Sequence, residues 1–101
     1  MKIIITKKLS KNLKDTKSIK AAYGKLFSRI EVALSVLKVA DNLAEVPNVP
    51  PTRRHKLTGN YQGCWAVYLD KSYRMIIKPI TDDEEISKIT EIEITDIVDY
   101  H

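Results

Sequence analysis

The chain has 101 residues, 44% hydrophobic and 30% charged, with three Gly, four Pro and one Cys. That length is one domain, residues 1–101, able to bury its own core, and the composition excludes a disordered or fibrous chain. A single cysteine, Cys64, excludes an intramolecular disulfide framework and a multi-cysteine zinc module. No apolar run approaches the ~20 residues that span a bilayer, and no signal-peptide pattern opens the sequence. The expectation is a small cytoplasmic protein with no membrane partner.

The net charge of +4 conceals a gradient: residues 1–30 carry +8, residues 31–50 carry −2, residues 51–80 carry +5 and residues 81–101 carry −7. Two basic stretches suit a polyanion partner, whose phosphates they would neutralise. Lysines of the first stretch equally suit the solvated outer face of a helix. In the second, the cations sit among aromatics.

In chain order, Lys2 to Thr6 with Ile3-Ile4-Ile5 suits a first strand, and the polar residues 9–16 read as a connector or a poor turn of helix. From Ser18 onward, Ile19, Tyr23, Phe27, Ile30, Ala33, Leu34, Leu37, Ala40 and Leu43-Ala44 recur at helical offsets. Asp15, Thr16 or Ser18 can cap this helical stretch, Gly24 can divide it, and Pro47, Pro50 and Pro51 stop it. The period then becomes two. His55-Lys56-Leu57 is a short extended piece closed by Gly59-Asn60. Cys64 to Leu69 and Tyr73 to Ile80 form a hairpin about Asp70-Lys71-Ser72, pairing Val67 with Met75 and Trp65 with Ile77. Its second face then carries Tyr68, Arg74, Ile76 and Lys78. After an acidic turn at 81–85, Ile86 to Tyr100 reads as a last strand. The class is α+β, with N-terminal helices on a small antiparallel sheet of three or four strands.

No glycine-rich phosphate loop, His-x-x-x-His, Cys-x-x-Cys or G-x-S-x-G elbow is present, so nucleotide-dependent catalysis and structural zinc are not expected. Cys64 suits a buried small hydrophobe. The polar residues left at the sheet ends and open face are Arg53, Arg54, His55, Lys56, Arg74, Lys78 and Asp99-Tyr100-His101. These types match RNA cleavage without a metal. Such chemistry needs a base for the 2′-OH, an acid for the leaving 5′-oxygen and cations on the phosphate. Histidine titrates near neutrality, arginine grips phosphate with two donors, and tyrosine stacks on an unpaired base.

The words Arg54-His55-Lys56-Leu57-Thr58-Gly59-Asn60, Gly63-Cys64-Trp65-Ala66-Val67, Tyr73-Arg74-Met75-Ile76 and Asp99-Tyr100-His101 resemble the RelE/ParE superfamily, in particular its HigB branch of plasmid-maintenance killer toxins. The match spans residues ~53–101 in order, while the helical half agrees in length and pattern only. The resemblance implies a RelE-like fold in which two helices pack on a curved antiparallel sheet. It implies a toxin that cuts mRNA in the ribosomal A site without a cofactor, held silent by a helix-turn-helix antitoxin of the HigA type. His55, Arg74, Asp99, Tyr100 and His101 fall on the family's active-site positions. Thr58 stands where the family has lysine, and Lys56 is expected to supply that cation. Arg53, Arg54, Tyr68 and Lys78 are the expected RNA contacts. Two alternatives are a ParE-like, non-enzymatic gyrase inhibitor and a catalytically degenerate RNA-binding homologue.

Overall fold

The computed structural model describes residues 1–99. Strand β1 (Lys2–Ile5) leads into helices α1 (Lys7–Leu13), α2 (Thr16–Tyr23) and α3 (Phe27–Val39). Strands β2 (His55–Lys56), β3 (Trp65–Tyr68), β4 (Tyr73–Pro79) and β5 (Glu91–Asp99) follow. They form one sheet in the order β1-β5-β4-β3-β2. The helices cover one of its faces.

Three local expectations give way. Residues 7–13 form a helix rather than a connector, because Leu9 and Leu13, one turn apart, are both buried. The lysines between them had masked that pair. The last strand begins at Glu91, not Ile86, since Ile86–Lys88 make a 3₁₀ turn. The prolines are not what ends the long helix, for α3 stops at Val39 and Ala40 is already extended. Asp15 caps α2, its carboxylate accepting from the Ser18 amide at 2.8 Å. That bond holds the Asp15 carboxyl below its ordinary pKa, so the cap persists at neutral pH and is lost on strong acidification. Gly24, at φ +51°, divides the helical stretch as its sequence position suggests.

The sheet has five strands and is mixed, because β1 runs parallel to β5 with Ile3 opposite Ile92 and Ile5 opposite Ile94. The three helices carry the chain from β1 at one edge to β2 at the other, and β3, β4 and β5 return it to lie beside β1. Trp65 faces Ile77 and Val67 faces Met75, the expected hairpin register. Its turn is fixed by the Asp70 carboxylate, which accepts from the amides of Ser72 (2.9 Å) and Tyr73 (2.8 Å).

The main core joins Leu9, Leu13, Ile19, Ile30, Leu34 and Leu37 of the helices to Val67, Met75, Ile77, Ile92 and Ile94 of the sheet. A second, smaller cluster lies on the opposite face, where Leu57, Ala66 and Ile76 pack with Tyr61, Cys64 and Val98. Ile76 is 0% exposed there, although alternation puts it on the nominally open face. The covering segment is 57–64, folded back by Leu57 N–H to the Cys64 carbonyl (3.0 Å) and Cys64 N–H to the Tyr61 carbonyl (2.9 Å). Burial pushes the Cys64 thiol up in pKa, with the Lys78 charge opposing, and the half-buried side chain packs against this cluster.

Candidate functional site

The rest of the open face is shaped by residues 47–54. Thr52 is buried; its hydroxyl donates to the Pro47 carbonyl at 2.9 Å, and its own carbonyl accepts from the Tyr68 amide at 2.8 Å. Two further bonds, Arg53 N–H to Val49 and Arg54 N–H to Pro47 (both 2.9 Å), close the segment into a tight loop against β3. Arg53 consequently sits at φ +44°, the left-handed region that disfavours a side chain. This geometry sets its guanidinium 4.8 Å from the centroid of the Tyr68 ring. Thr52→Val should cost about 1 kcal/mol, because one donor is lost while Pro47 keeps the Arg54 amide. A melt should read that as a fall of roughly 4–8 °C, typical of a domain this size.

Arg74 faces Tyr68 across the β3–β4 hairpin, with its guanidinium 4.5 Å from the same ring. One of its terminal nitrogens also donates to the carbonyls of Asp70 (2.6 Å) and Tyr73 (3.0 Å). Arg74 is thus partly buried and held by backbone acceptors, where strand alternation alone suggests a solvated position. His55 pairs with Ala66 in the β2–β3 ladder and is exposed beside them. Together His55, Arg53, Tyr68 and Arg74 border an open groove of about 510 Å³, with Leu57 and Ala66 among its lining and Asn48, Val49 and Pro50 as one wall. The chemistry available there is one imidazole and two guanidiniums over an apolar base.

Other expected site residues go elsewhere. Lys56 pairs with Trp65, so it projects to the opposite face from its neighbour His55 and cannot join Arg74 as the substitute cation. Thr58 follows in extended backbone, just before the chain turns at Gly59–Tyr61. Lys56 and Lys78 border a different groove, of about 580 Å³, beside Trp65 and the acidic turn Asp82-Asp83-Glu84. Arg54 borders the first groove, but its guanidinium is engaged: Nε donates to the Val46 carbonyl at 2.8 Å and the group lies 5.1 Å from the Trp65 ring centroid. Asp99 is paired with Tyr73 at the end of β5, while Val98 shares a face with Arg74. Tyr100 and His101 lie outside the described residues. Asn48, Val49 and Pro50 were missed as groove residues, because the proline cluster registers in sequence only as a helix stop. Among the described residues, no group of three or more His, Cys, Asp or Glu could hold a metal ion. No described helix is long and apolar enough to cross a membrane.

The architecture is that of the RelE-like toxins. A YoeB/ParE toxin from Agrobacterium tumefaciens superposes with a TM-score of 0.61 at 14% identity, over 100% of each chain. A YafQ mutant from E. coli gives 0.61 at 15% identity, over 96% of this chain and 90% of that one. YoeB in a YoeB–YefM complex from Staphylococcus aureus gives 0.55 at 17%, over 100% and 97%. At these identities the likeness is one of fold. No protein-family model matches the sequence, and no curated protein does.

Proposed function

We propose that this chain is the toxin of a type II toxin–antitoxin pair, a ribosome-dependent endoribonuclease of the HigB kind that cuts mRNA in the A site. The observation that carries this reading is the groove: an imidazole, two guanidiniums and a tyrosine converge on the open face of a RelE-like sheet. In such a reaction the 2′-oxygen attacks the adjacent phosphorus and the P–O5′ bond breaks. The products are a 2′,3′-cyclic phosphate and a 5′-hydroxyl. The 2′-OH must lose a proton and the departing oxygen must gain one, work for which two imidazoles, His55 and His101, suffice. Arg74 and Arg53 stabilise the charge that rises on the phosphate. Tyr68 holds those cations in place, while Asp99 and Tyr100 are carried by the HigB resemblance alone, Asp99 standing opposite Tyr73 in the ladder rather than opposite Arg74. A silencing partner follows from an active nuclease, and a helix-turn-helix antitoxin of the HigA type fits the HigB resemblance. Two of the structures similar in fold hold a second protein, YefM with YoeB and DinJ with YafQ, which supports a protein partner for this chain.

The groove lacks a lysine, since Lys56 faces away from it. That one observation favours a second reading, an RNA-binding homologue that cleaves poorly. Pulse labelling after induction separates these readings from gyrase poisoning. The nuclease stops protein synthesis first, a gyrase inhibitor stops DNA synthesis first, and a degenerate homologue stops neither.

Arg53 provides a graded test. Glycine at position 53 relieves a left-handed backbone cost of about 1–2 kcal/mol and gives back roughly 0.5–1 kcal/mol in chain entropy. Arg53→Gly should therefore leave the melting temperature level or slightly raised. It should weaken binding of a non-cleavable RNA and lower the salt-dependence slope by about one. A clear loss of melting temperature would make Arg53 a structural residue.

A further inference from the structure

We infer that this chain pairs with a second copy of itself through the exposed face of α3, the two helices lying antiparallel about a twofold axis. The inference does not rest on the cleavage reading. Three valines stand in line on that helix, Val32, Val36 and Val39, at offsets of four and three. Val32 is 45% and Val39 82% exposed, while the other side of α3 buries Ile30, Leu34 and Leu37 in the core. A lone exposed valine needs no explanation; an aligned row on one helix face does.

A depression borders the row toward each end. One, of about 260 Å³, includes Arg29, Val32, Pro51 and Leu69; the other, of about 400 Å³, includes Val36, Val39, Glu45 and Pro47. Pro47 and Pro51 are exposed and widen the surface beyond the helix. A specific interface buries roughly 1,000 Å² in all, so a contact of this kind is a small one, with affinity in the micromolar range.

Charge selects the occupant. Arg29 stands at the N-terminal end of the row, and Asp41 and Glu45 follow its C-terminal end. Among the described residues the ion pairs are Lys2–Glu91, Lys8–Asp96 and Lys88–Glu85, so neither Arg29 nor Asp41 pairs within its own chain. The Glu45 carboxylate accepts from the Asp41 amide at 3.0 Å, which holds both acids at the same end. A surface that is basic at one end, apolar in the middle and acidic at the other complements itself when turned end for end. An axis between Ser35 and Val36 sets Val32 of each copy opposite Val39 of the other. At about 1.5 Å per residue, Arg29 lies about 10 Å from that axis and Asp41 about 8 Å, so each guanidinium comes to the other copy's acids. A polyanion would meet those acids as like charge, and residues 31–50 carry −2.

The test is sedimentation equilibrium of the full chain from about 10 μM to about 1 mM, read beside a thermal melt. The expected mass climbs from one chain toward two with no larger species, since a twofold contact closes on itself. Val39→Lys should weaken pairing at least about tenfold, because it sets a charge against the other copy's Val32. It should leave the melt of the dilute protein unchanged, for the side chain is exposed and a cation suits the last turn of a helix. Arg29→Glu and Asp41→Arg should each weaken pairing about fivefold. Combined, the two reversals should recover most of that loss, which only contact between copies explains. The inference is overturned by a mass of one chain at every concentration, by pairing that Val39→Lys leaves intact, or by a double reversal no better than the single ones. It is overturned equally if the wild type stays a single chain yet sediments with phosphatidylcholine–phosphatidylglycerol vesicles and Val39→Lys does not, which would give the row to a membrane.

Discussion

His55→Gln is expected to lower RNA cleavage by about 10²–10⁴-fold, the usual worth of a positioned acid or base, and to leave the melting temperature unchanged. The side chain is exposed at a two-residue edge strand, so its replacement empties no cavity and strands no buried polar group. Its backbone pairing with Ala66 is indifferent to the side chain. Glutamine keeps a hydrogen-bonding end but cannot exchange a proton near neutrality. Deleting His101 should cause a loss of the same order, because the reaction needs a base and an acid and the groove itself supplies one imidazole. Cleavage by single-turnover assay, set beside a thermal melt, checks both. Full activity in the His55 variant with loss on removal of His101 would leave His55 as a phosphate contact only.

Arg74→Ala should lose at least about 10²-fold in cleavage, since a preorganised cation aimed at developing negative charge is worth roughly that much. It should also destabilise the fold by about 1–2 kcal/mol, because the guanidinium donates to the carbonyls of Asp70 and Tyr73 and stacks on Tyr68. Strand alternation by itself gives no stability effect, so the melt distinguishes the two accounts. Arg74→Lys keeps the charge but loses the planar stack, and should recover part of the activity and little of the stability. An Arg74→Ala protein that melts like the wild type would mean that those hydrogen bonds do not hold in solution.

The sequence makes the hairpin legible because period-two alternation and an Asp at the turn both act locally, and Asp70 does what such a residue does. Asp15 and Gly24 are legible for the same reason. What misleads is the competition between local and distant terms. Leu9 and Leu13 gain their helix from tertiary burial, which a lysine-rich string does not advertise. Ile76 looks exposed until segment 57–64 folds over it. At the site, His55, Tyr68 and Arg74 follow from strand parity, which also separates Lys56 from His55 once they are seen to be neighbours in β2. Arg54 stays at the groove's border, but its guanidinium is taken up by the Val46 carbonyl and the Trp65 ring, which spacing along the sequence does not show. Nothing in sequence spacing foretells that the buried Thr52 hydroxyl would set Arg53 over a tyrosine.

The central claim is tested most directly by primer extension on an mRNA translated in a cell extract, with and without the protein. The account predicts cuts in register with codons, which vanish when ribosomes are removed and with His55→Gln. Undiminished full-length mRNA, or cuts that ignore the reading frame and persist without ribosomes, would contradict it.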